Sequence, residues 1–137
     1  MPLERVVLDV NVIVSAAISK SLRQLLASVV RLNIQLFSCE ELINELVIAL
    51  TYTHVNKYLN EGDVKDIITL FLIASTEIEI DLRYDGLEDT KDNYLIDLAY
   101  ACKADYLVSG DRKVLMQKHV GRIQIISPAQ FNKLLQS

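Results

Sequence analysis

The sequence lacks the features that several large classes of protein require. It has no Trp, two Pro and four Gly in 137 residues, which excludes collagenous and low-complexity chains. The longest apolar candidate, residues 67–74, is interrupted by Thr69 and falls far short of the roughly 18 residues of a membrane span. The first ten residues carry Glu4 and no basic region ahead of a long apolar one. We therefore expect no secretory signal, no membrane partner and a cytoplasmic location.

Residues that perform thiol, imidazole or zinc chemistry are also few. Cys39 and Cys102 lie far apart without the spacing of a zinc site, and His54 and His119 are equally isolated. We interpret the cysteines as buried apolar residues and the histidines as surface or helix-end residues. Lys and Arg number 14 against 18 Asp and Glu, and the net charge of −4 argues against a broad basic face for nucleic acid.

The sequence does contain many apolar residues, and their pattern predicts strands that alternate with helices. Hydrophobic residues make up 51% of the chain, and the length is typical of one domain, so we expect residues 1–137 to form a single domain. The patterning predicts strands at 5–10, 34–37, 77–80, 106–108 and 123–126. It predicts helices at 21–32, 38–50, 61–74 and 95–102, a short helical piece at 114–116 and a last helix from Pro128, with a loop at 81–91. This alternation indicates a three-layer α/β/α domain with a mainly parallel central sheet of four to five strands.

Acidic residues occur where these elements begin and end. Asp9 lies in the apolar run VVLDVNVIV, Asp111 follows YLVSG, and Asp92 precedes NYLIDLAYAC. Glu45 lies at the edge of the apolar stripe of the helix that Ser38 is predicted to cap. Ligands of parallel sheets bind outside the carboxyl ends of the strands. Capping alone would also account for Asp92 or Asp111, and a solvated helix face for Glu45, but neither explains Asp9.

These four acids predict a metal site only if the fold brings them together. Carboxylates gathered in one pocket repel each other unless a cation neutralises them, and Mg²⁺ or Mn²⁺ prefers such oxygen ligands. A cation of this kind activates water for phosphodiester hydrolysis without a side-chain nucleophile. Removing the four charges would bring the net charge from −4 to zero, so the acidity of the chain is consistent with an acidic cleft that binds metal.

The motifs and their order resemble those of the PIN-domain ribonucleases. The similarity rests on the D-x-N of Asp9 and Asn11, the helix running from Ser38 to Glu45, KDNYLIDLA, and ADYLVSGD, with the acids 36, 47 and 19 residues apart. Together with the closing segment IQIISPAQFNKLL, the pattern is similar more narrowly to the toxins of toxin–antitoxin pairs. The resemblance covers nearly the whole chain.

The resemblance implies a metal-dependent endoribonuclease whose four acids bind Mg²⁺ (or Mn²⁺) and catalyse RNA cleavage. The matching positions are Asp9, Glu45, Asp92 and Asp111. It also implies supporting roles for Asn11, which would orient Asp9 or a metal-bound water, and for Ser109. Its implied partners are an RNA substrate and a small antitoxin protein.

Two further carboxylates lie near Asp92. We interpret Asp89 as a loop residue and Asp97 as a surface or helix-pairing residue, since Asp97 is five positions from Asp92 and faces another side of the helix. The apolar stripe at 61–74 has three interpretations: core, a homodimer contact, or a docking surface for an antitoxin.

Two other functions remain open from the sequence. A receiver-like phosphoacceptor domain has a similar length and an acidic pocket, although the residues after the first and last strands do not resemble the receiver pattern. A PIN-like domain that has lost catalysis would instead be a binding or assembly module.

Overall fold

The structure is a computed structural model that describes residues 4–87 and 90–136. Within these residues the strands are β1 (Arg5–Leu8), β2 (Gln35–Ser38), β3 (Ser75–Glu77), β4 (Tyr106–Val108), β5 (His119–Val120) and β6 (Ile123–Ile126). The helices are α1 (Val10–Ile18), α2 (Leu22–Arg31), α3 (Glu40–Leu50), α4 (Thr53–Asn56), α5 (Glu61–Ala74), α6 (Asn93–Ala101), α7 (Arg112–Leu115) and α8 (Pro128–Gln136). A 3₁₀ turn at Thr90–Asp92 leads into α6.

The strands form one sheet in the order β3-β2-β1-β4-β6-β5, in which only the β5–β6 pair is antiparallel. Val6, Val7 and Leu8 of β1 are all at most 1% exposed. Since successive strand residues point to opposite faces, both faces of the sheet are covered, which confirms the predicted three-layer α/β/α arrangement. The sheet has six strands, more than the four to five predicted, because two-residue β5 is too short to produce a pattern in the sequence.

The order of the strands reverses direction between β1 and β4. From β1 the chain proceeds to β2 and β3 on one side, and from β4 to β6 on the other. Ligand crevices of open α/β sheets form at such a reversal, outside the carboxyl ends of the two strands. Receiver domains have the different order 2-1-3-4-5, so the topology excludes the receiver-like alternative.

Two local predictions about helix starts are wrong. The chain enters α1 at Val10, directly after Asp9, where the sequence analysis predicted continued strand, because an unbroken apolar run does not separate a buried strand from a buried helix. Ser38 does not cap α3: it ends β2, is fully buried and accepts a hydrogen bond from the Ser75 hydroxyl, so Cys39 takes the N-cap position.

The apolar stripe of α5 is divided between core and surface. Ile67 and Phe71 are buried in the core, as one of the three interpretations predicted, whereas Leu72 and Ile73 are 46% and 78% exposed. A capping box between Asn60 and Asp63 fixes the start of this helix. The exposed pair therefore contributes to the surface of the molecule.

No single helix in the described parts of the chain is long and apolar enough to cross a membrane. The bent pair of α1 and α2 passes such a test only jointly, by length and composition, and most of α1 is buried inside the fold.

Candidate active site

Asp9 and the residues after β4 meet at the reversal point of the sheet. The Asp9 backbone amide donates to the Val108 carbonyl at 2.9 Å, which extends the β1–β4 pairing by one residue. The Ser109 hydroxyl donates to Asp9 Oδ2 at 2.8 Å, and the Asp111 amide donates to Ser109 Oγ at 3.1 Å. Asp9 and Ser109 are only 3% and 0% exposed. Ser109 therefore connects the two strand ends and fixes the orientation of the Asp9 carboxylate.

The Asp9 carboxylate lies in an environment that is unfavourable for its charge. Burial raises its pKa most, and the negative charges of Glu45 and Asp111 raise it further. The Ser109 hydroxyl and the Asn11 backbone amide act in the opposite direction and lower the pKa. The fold thus brings three of the four predicted acids, from β1, α3 and the start of α7, into electrostatic contact.

Asp111 combines this electrostatic role with helix capping. Its Oδ1 accepts a hydrogen bond from the Lys113 amide at 2.9 Å, which makes it the N-cap of the four-residue helix α7. Both interpretations of Asp111 from the sequence therefore apply to one residue: it caps a helix and its charge acts on Asp9.

Glu45 is half-buried on α3 and has a partner that the sequence analysis missed. The hydroxyl of Tyr94, on α6, donates to Glu45 Oε2. Tyr94 is 8% exposed, and its pKa is raised by burial and then by Glu45, so the phenol stays protonated. The sequence does contain a signal for this contact, because the hydroxyl of a Tyr within a buried helix needs a hydrogen-bond partner.

Asp92 is buried at the N-cap position of α6, where its side chain makes no cap hydrogen bond. It lies two residues before Tyr94, so the start of α6 that carries Asp92 adjoins the Glu45 region of α3 through the Tyr94 contact. Its burial distinguishes it from an ordinary solvated cap residue.

Asp97 has a structural role, and the prediction of a surface residue is wrong. It is 9% exposed, and its two carboxylate oxygens accept hydrogen bonds from the backbone amides of Arg83 and Tyr84 at 3.1 and 3.0 Å. Asn93 similarly accepts from the Leu87 amide at 3.0 Å. Helix α6 thus anchors the preceding loop by side-chain acceptors, whereas Asp89 lies outside the described residues.

Asn11 is exposed and lines a groove on the surface of the molecule. The groove has a volume of about 870 Å³ and lies between α1, α2 and α8, and Gly110 also lines it. None of the described residues that line it is acidic, and most of its polar lining consists of hydroxyl and amide side chains with one cation, including Ser15, Gln24, Ser28, Arg31 and Asn132. The groove is therefore an uncharged to weakly basic surface, and its lining includes Asn11 and Gly110, which are close in the chain to Asp9 and Asp111.

The donors at this site are all oxygen atoms, as a hard divalent cation requires. Among the side chains that the structure describes, no three of His, Cys, Asp and Glu are grouped to enclose an ion. Mg²⁺ commonly binds through one or two carboxylates and keeps several waters. The residues therefore fit a hydrated ion beside Asp9 and do not fit an ion enclosed by protein ligands alone.

The two thiols are unsuited to nucleophilic chemistry. Both cysteines are buried, as predicted, and burial raises the pKa of Cys39 to about 12 and that of Cys102 to about 11. Since the thiolate is the reactive form, both thiols are inert near neutral pH.

Comparison with known proteins adds to this geometry. A search of curated proteins found no match. Residues 5–113 match a family model described as PIN domain, and this range contains β1, β4 and all four predicted acids. The family is generally a nuclease fold. With the sheet order, the buried Asp9 and the matched range in agreement, the chain belongs to the PIN domain family.

Proposed function

We propose that this protein is a metal-dependent endoribonuclease. One observation carries the proposal: a buried carboxylate, Asp9, stands at the reversal point of a PIN-fold sheet with the charges of Glu45 and Asp111 acting on it. Burying like charges together is costly, and a bound cation would offset that cost. With both thiols inert, water is the nucleophile that this set of residues favours.

In this proposal the Asp9 carboxylate binds a hydrated Mg²⁺ (or Mn²⁺), and Glu45, Asp92 and Asp111 are further ligands or partners that bind through coordinated water. When bound, the ion lowers the pKa of a coordinated water and offsets negative charge on the scissile phosphate. Ser109 keeps the Asp9 carboxylate in one orientation through the 2.8 Å hydrogen bond. The Asp111 amide in turn holds the Ser109 hydroxyl, so the acids of both strand ends are oriented before substrate arrives.

The RNA flank is proposed to lie in the groove between α1, α2 and α8. A phosphate chain is repelled by carboxylates, and the described lining of this groove has none, although the chain as a whole is acidic. Hydroxyl and amide side chains are common donors to phosphate and sugar oxygens. Since Asn11 and Gly110 line the groove and are two residues and one residue from Asp9 and Asp111 in the chain, a strand lying in the groove would pass near these acids.

We further propose, on the resemblance of the sequence motifs, that the ribonuclease is the toxin of a toxin–antitoxin pair acting on cytoplasmic RNA. An antitoxin needs an apolar surface on which to dock, and Leu72 and Ile73 of α5 offer exposed apolar side chains. A second copy of the chain is the alternative partner for the same surface, and size-exclusion chromatography with multi-angle light scattering of the purified protein distinguishes a dimer from a monomer.

The proposed activity is tested by incubating several RNAs with purified protein in Mn²⁺, in Mg²⁺ and in EDTA. We expect cleavage with either ion, none in EDTA, and recovery when the ion is restored. An Asp66→Asn variant is the matched control, because Asp66 is an exposed acid on α5, away from the strand ends. It should cleave like the parent.

Contaminating nuclease is the main source of false activity in such an assay. Cleavage at equal rates by the parent and by an Asp9→Asn variant would contradict the proposal. An intact fold that binds Mn²⁺ but cleaves no RNA would instead support the binding or assembly module.

The double role of Asp111 gives a second prediction. Asn caps helices about as well as Asp and lacks the charge that acts on Asp9, so Asp111→Asn should be at least as stable as the parent in EDTA while RNA cleavage falls. Asp111→Ala should lose both, with a cost of about 0.5–2 kcal/mol in the free energy of unfolding. Thermal melts and cleavage assays on both variants check this prediction. Full activity of Asp111→Asn would contradict a catalytic role of Asp111 and show that it only caps α7.

A further inference from the structure

The contact between Tyr94 and Glu45 connects a rigid, buried donor to one of the proposed metal ligands. Tyr94 is 8% exposed on α6, and its hydroxyl donates to the carboxylate of Glu45 on α3. We propose that Tyr94 is a positioning residue, which holds the Glu45 carboxylate in the orientation that the cation site needs. The inference rests on the function proposed above.

Glu45 needs such a partner more than Asp9 does. Asp9 is 3% exposed and is oriented by Ser109, whereas Glu45 is half-buried, has a longer side chain, and lies on α3 near the exposed Asn44 and Ile48. Ordering a Glu side chain costs conformational entropy, because its several rotatable bonds must adopt one arrangement. A fixed hydrogen-bond donor offsets that cost before the ion binds.

Tyr94 has the properties of a permanent donor. A phenol hydroxyl has an ordinary pKa of about 10, so at neutral pH it carries the proton that it donates to Glu45. Residues 93–99 of α6 are all buried, which holds the ring in place. Hydrogen-bonded partners of metal ligands typically change metal affinity or activity by about 10–100-fold when they are removed.

The test replaces Tyr94 by Phe, which removes the hydroxyl and keeps the ring. Calorimetric titration with Mn²⁺ should show affinity reduced by about 10–100-fold, and a higher Mn²⁺ concentration should restore part of the RNA cleavage. Tyr100→Phe is the matched control on the same helix, because Tyr100 is 51% exposed. Its Mn²⁺ affinity should equal that of the parent.

A second comparison separates positioning from packing. If Tyr94 acts through Glu45, then Tyr94→Phe should reduce Mn²⁺ affinity much less in a Glu45→Gln background than in the parent, since coupled residues are not additive. If Tyr94 served packing alone, Tyr94→Phe would lower the melting temperature in EDTA and leave the Mn²⁺ affinity of the folded protein unchanged.

The outcomes distinguish this inference from the proposed function. If the parent binds Mn²⁺ and cleaves RNA while Tyr94→Phe has the parent's affinity, the positioning role is overturned and the ribonuclease stands. If the parent neither binds Mn²⁺ nor cleaves RNA, both the proposed function and this inference are wrong. Should Tyr94→Phe not fold, Glu45→Asp tests the same contact by withdrawing the carboxylate, and unchanged Mn²⁺ affinity there would also overturn the role.

Discussion

Replacing Asp9 by Asn should abolish RNA cleavage and at the same time stabilise the protein in chelator. Activity should fall by about 10²–10³-fold or more, the size of effect seen when one electrostatic stabiliser is removed from an active site. Stability in EDTA should rise by about 0.5–2 kcal/mol, because the variant removes a buried charge that Glu45 and Asp111 repel. The Asn side chain can still accept the Ser109 hydrogen bond. Thermal melts and cleavage assays on the same preparations measure both effects.

The pH dependence of the stability of the parent and of Asp9→Asn gives an independent check. The folded pKa of Asp9 is raised above its ordinary value of 3.8, so between these two values the folded state binds more protons than the unfolded state. The stability contributed by this residue is therefore greatest at low pH and falls as pH rises through the folded pKa. In EDTA, the stability gain of Asp9→Asn over the parent should grow with rising pH across this window and then level off. A gain that is independent of pH, or a loss of stability, would contradict the electrostatic account of Asp9.

Asp92, at the N-cap of α6, and Asp97, within that helix, should differ in their effect on RNA cleavage when each is replaced by Asn. Asp92→Asn should remove RNA cleavage, because Asp92 is a buried acid at the N-cap of α6 and a proposed metal ligand. Asp97→Asn should keep cleavage per folded molecule but lose stability, because its carboxylate accepts from the Arg83 and Tyr84 amides. Hydrogen bonds to charged groups contribute about 1.5–3 kcal/mol, and a loss of this size is expected.

Urea unfolding and cleavage assays on the two variants check this prediction, with Asp66→Asn as the control for removal of an exposed charge. If Asp97→Asn were as stable as the parent but inactive, the anchoring role assigned to Asp97 would be wrong. Loss of stability alone in Asp92→Asn would reduce Asp92 to a structural residue.

Part of the fold was predictable from the sequence. The strands Tyr106–Val108 and Ile123–Ile126 and the helix Glu61–Ala74 occur with the predicted bounds, because each is an apolar segment with a turn signal beside it. The strand predicted at 77–80 from its alternation is instead β3, at Ser75–Glu77. The prediction failed at α1, where one apolar run contains both the end of a strand and a helix. It also failed at Ser38, where a residue typical of caps is buried in a strand instead.

The site was predictable only in part, for a related physical reason. Asp9 could be singled out, since a charge within an apolar run demands an explanation. The Tyr94 contact and the anchoring role of Asp97 depend on which elements pack together, and helical spacing within one element carries no such information. The helical position of Asp97 predicts a surface or helix-pairing residue, yet its partners are backbone amides of a loop 13 and 14 residues earlier.

The most direct test of the cation site is anomalous X-ray diffraction from crystals of this protein soaked in Mn²⁺. We predict one anomalous peak outside the carboxyl ends of β1 and β4, in contact with the Asp9 carboxylate and with Glu45, Asp92 or Asp111 as a further ligand or water-bridged partner. The peak should disappear in crystals of Asp9→Asn. A peak remote from Asp9, or no peak in crystals of a protein that cleaves RNA in the same Mn²⁺ concentration, would contradict the assignment of these acids as the catalytic metal site.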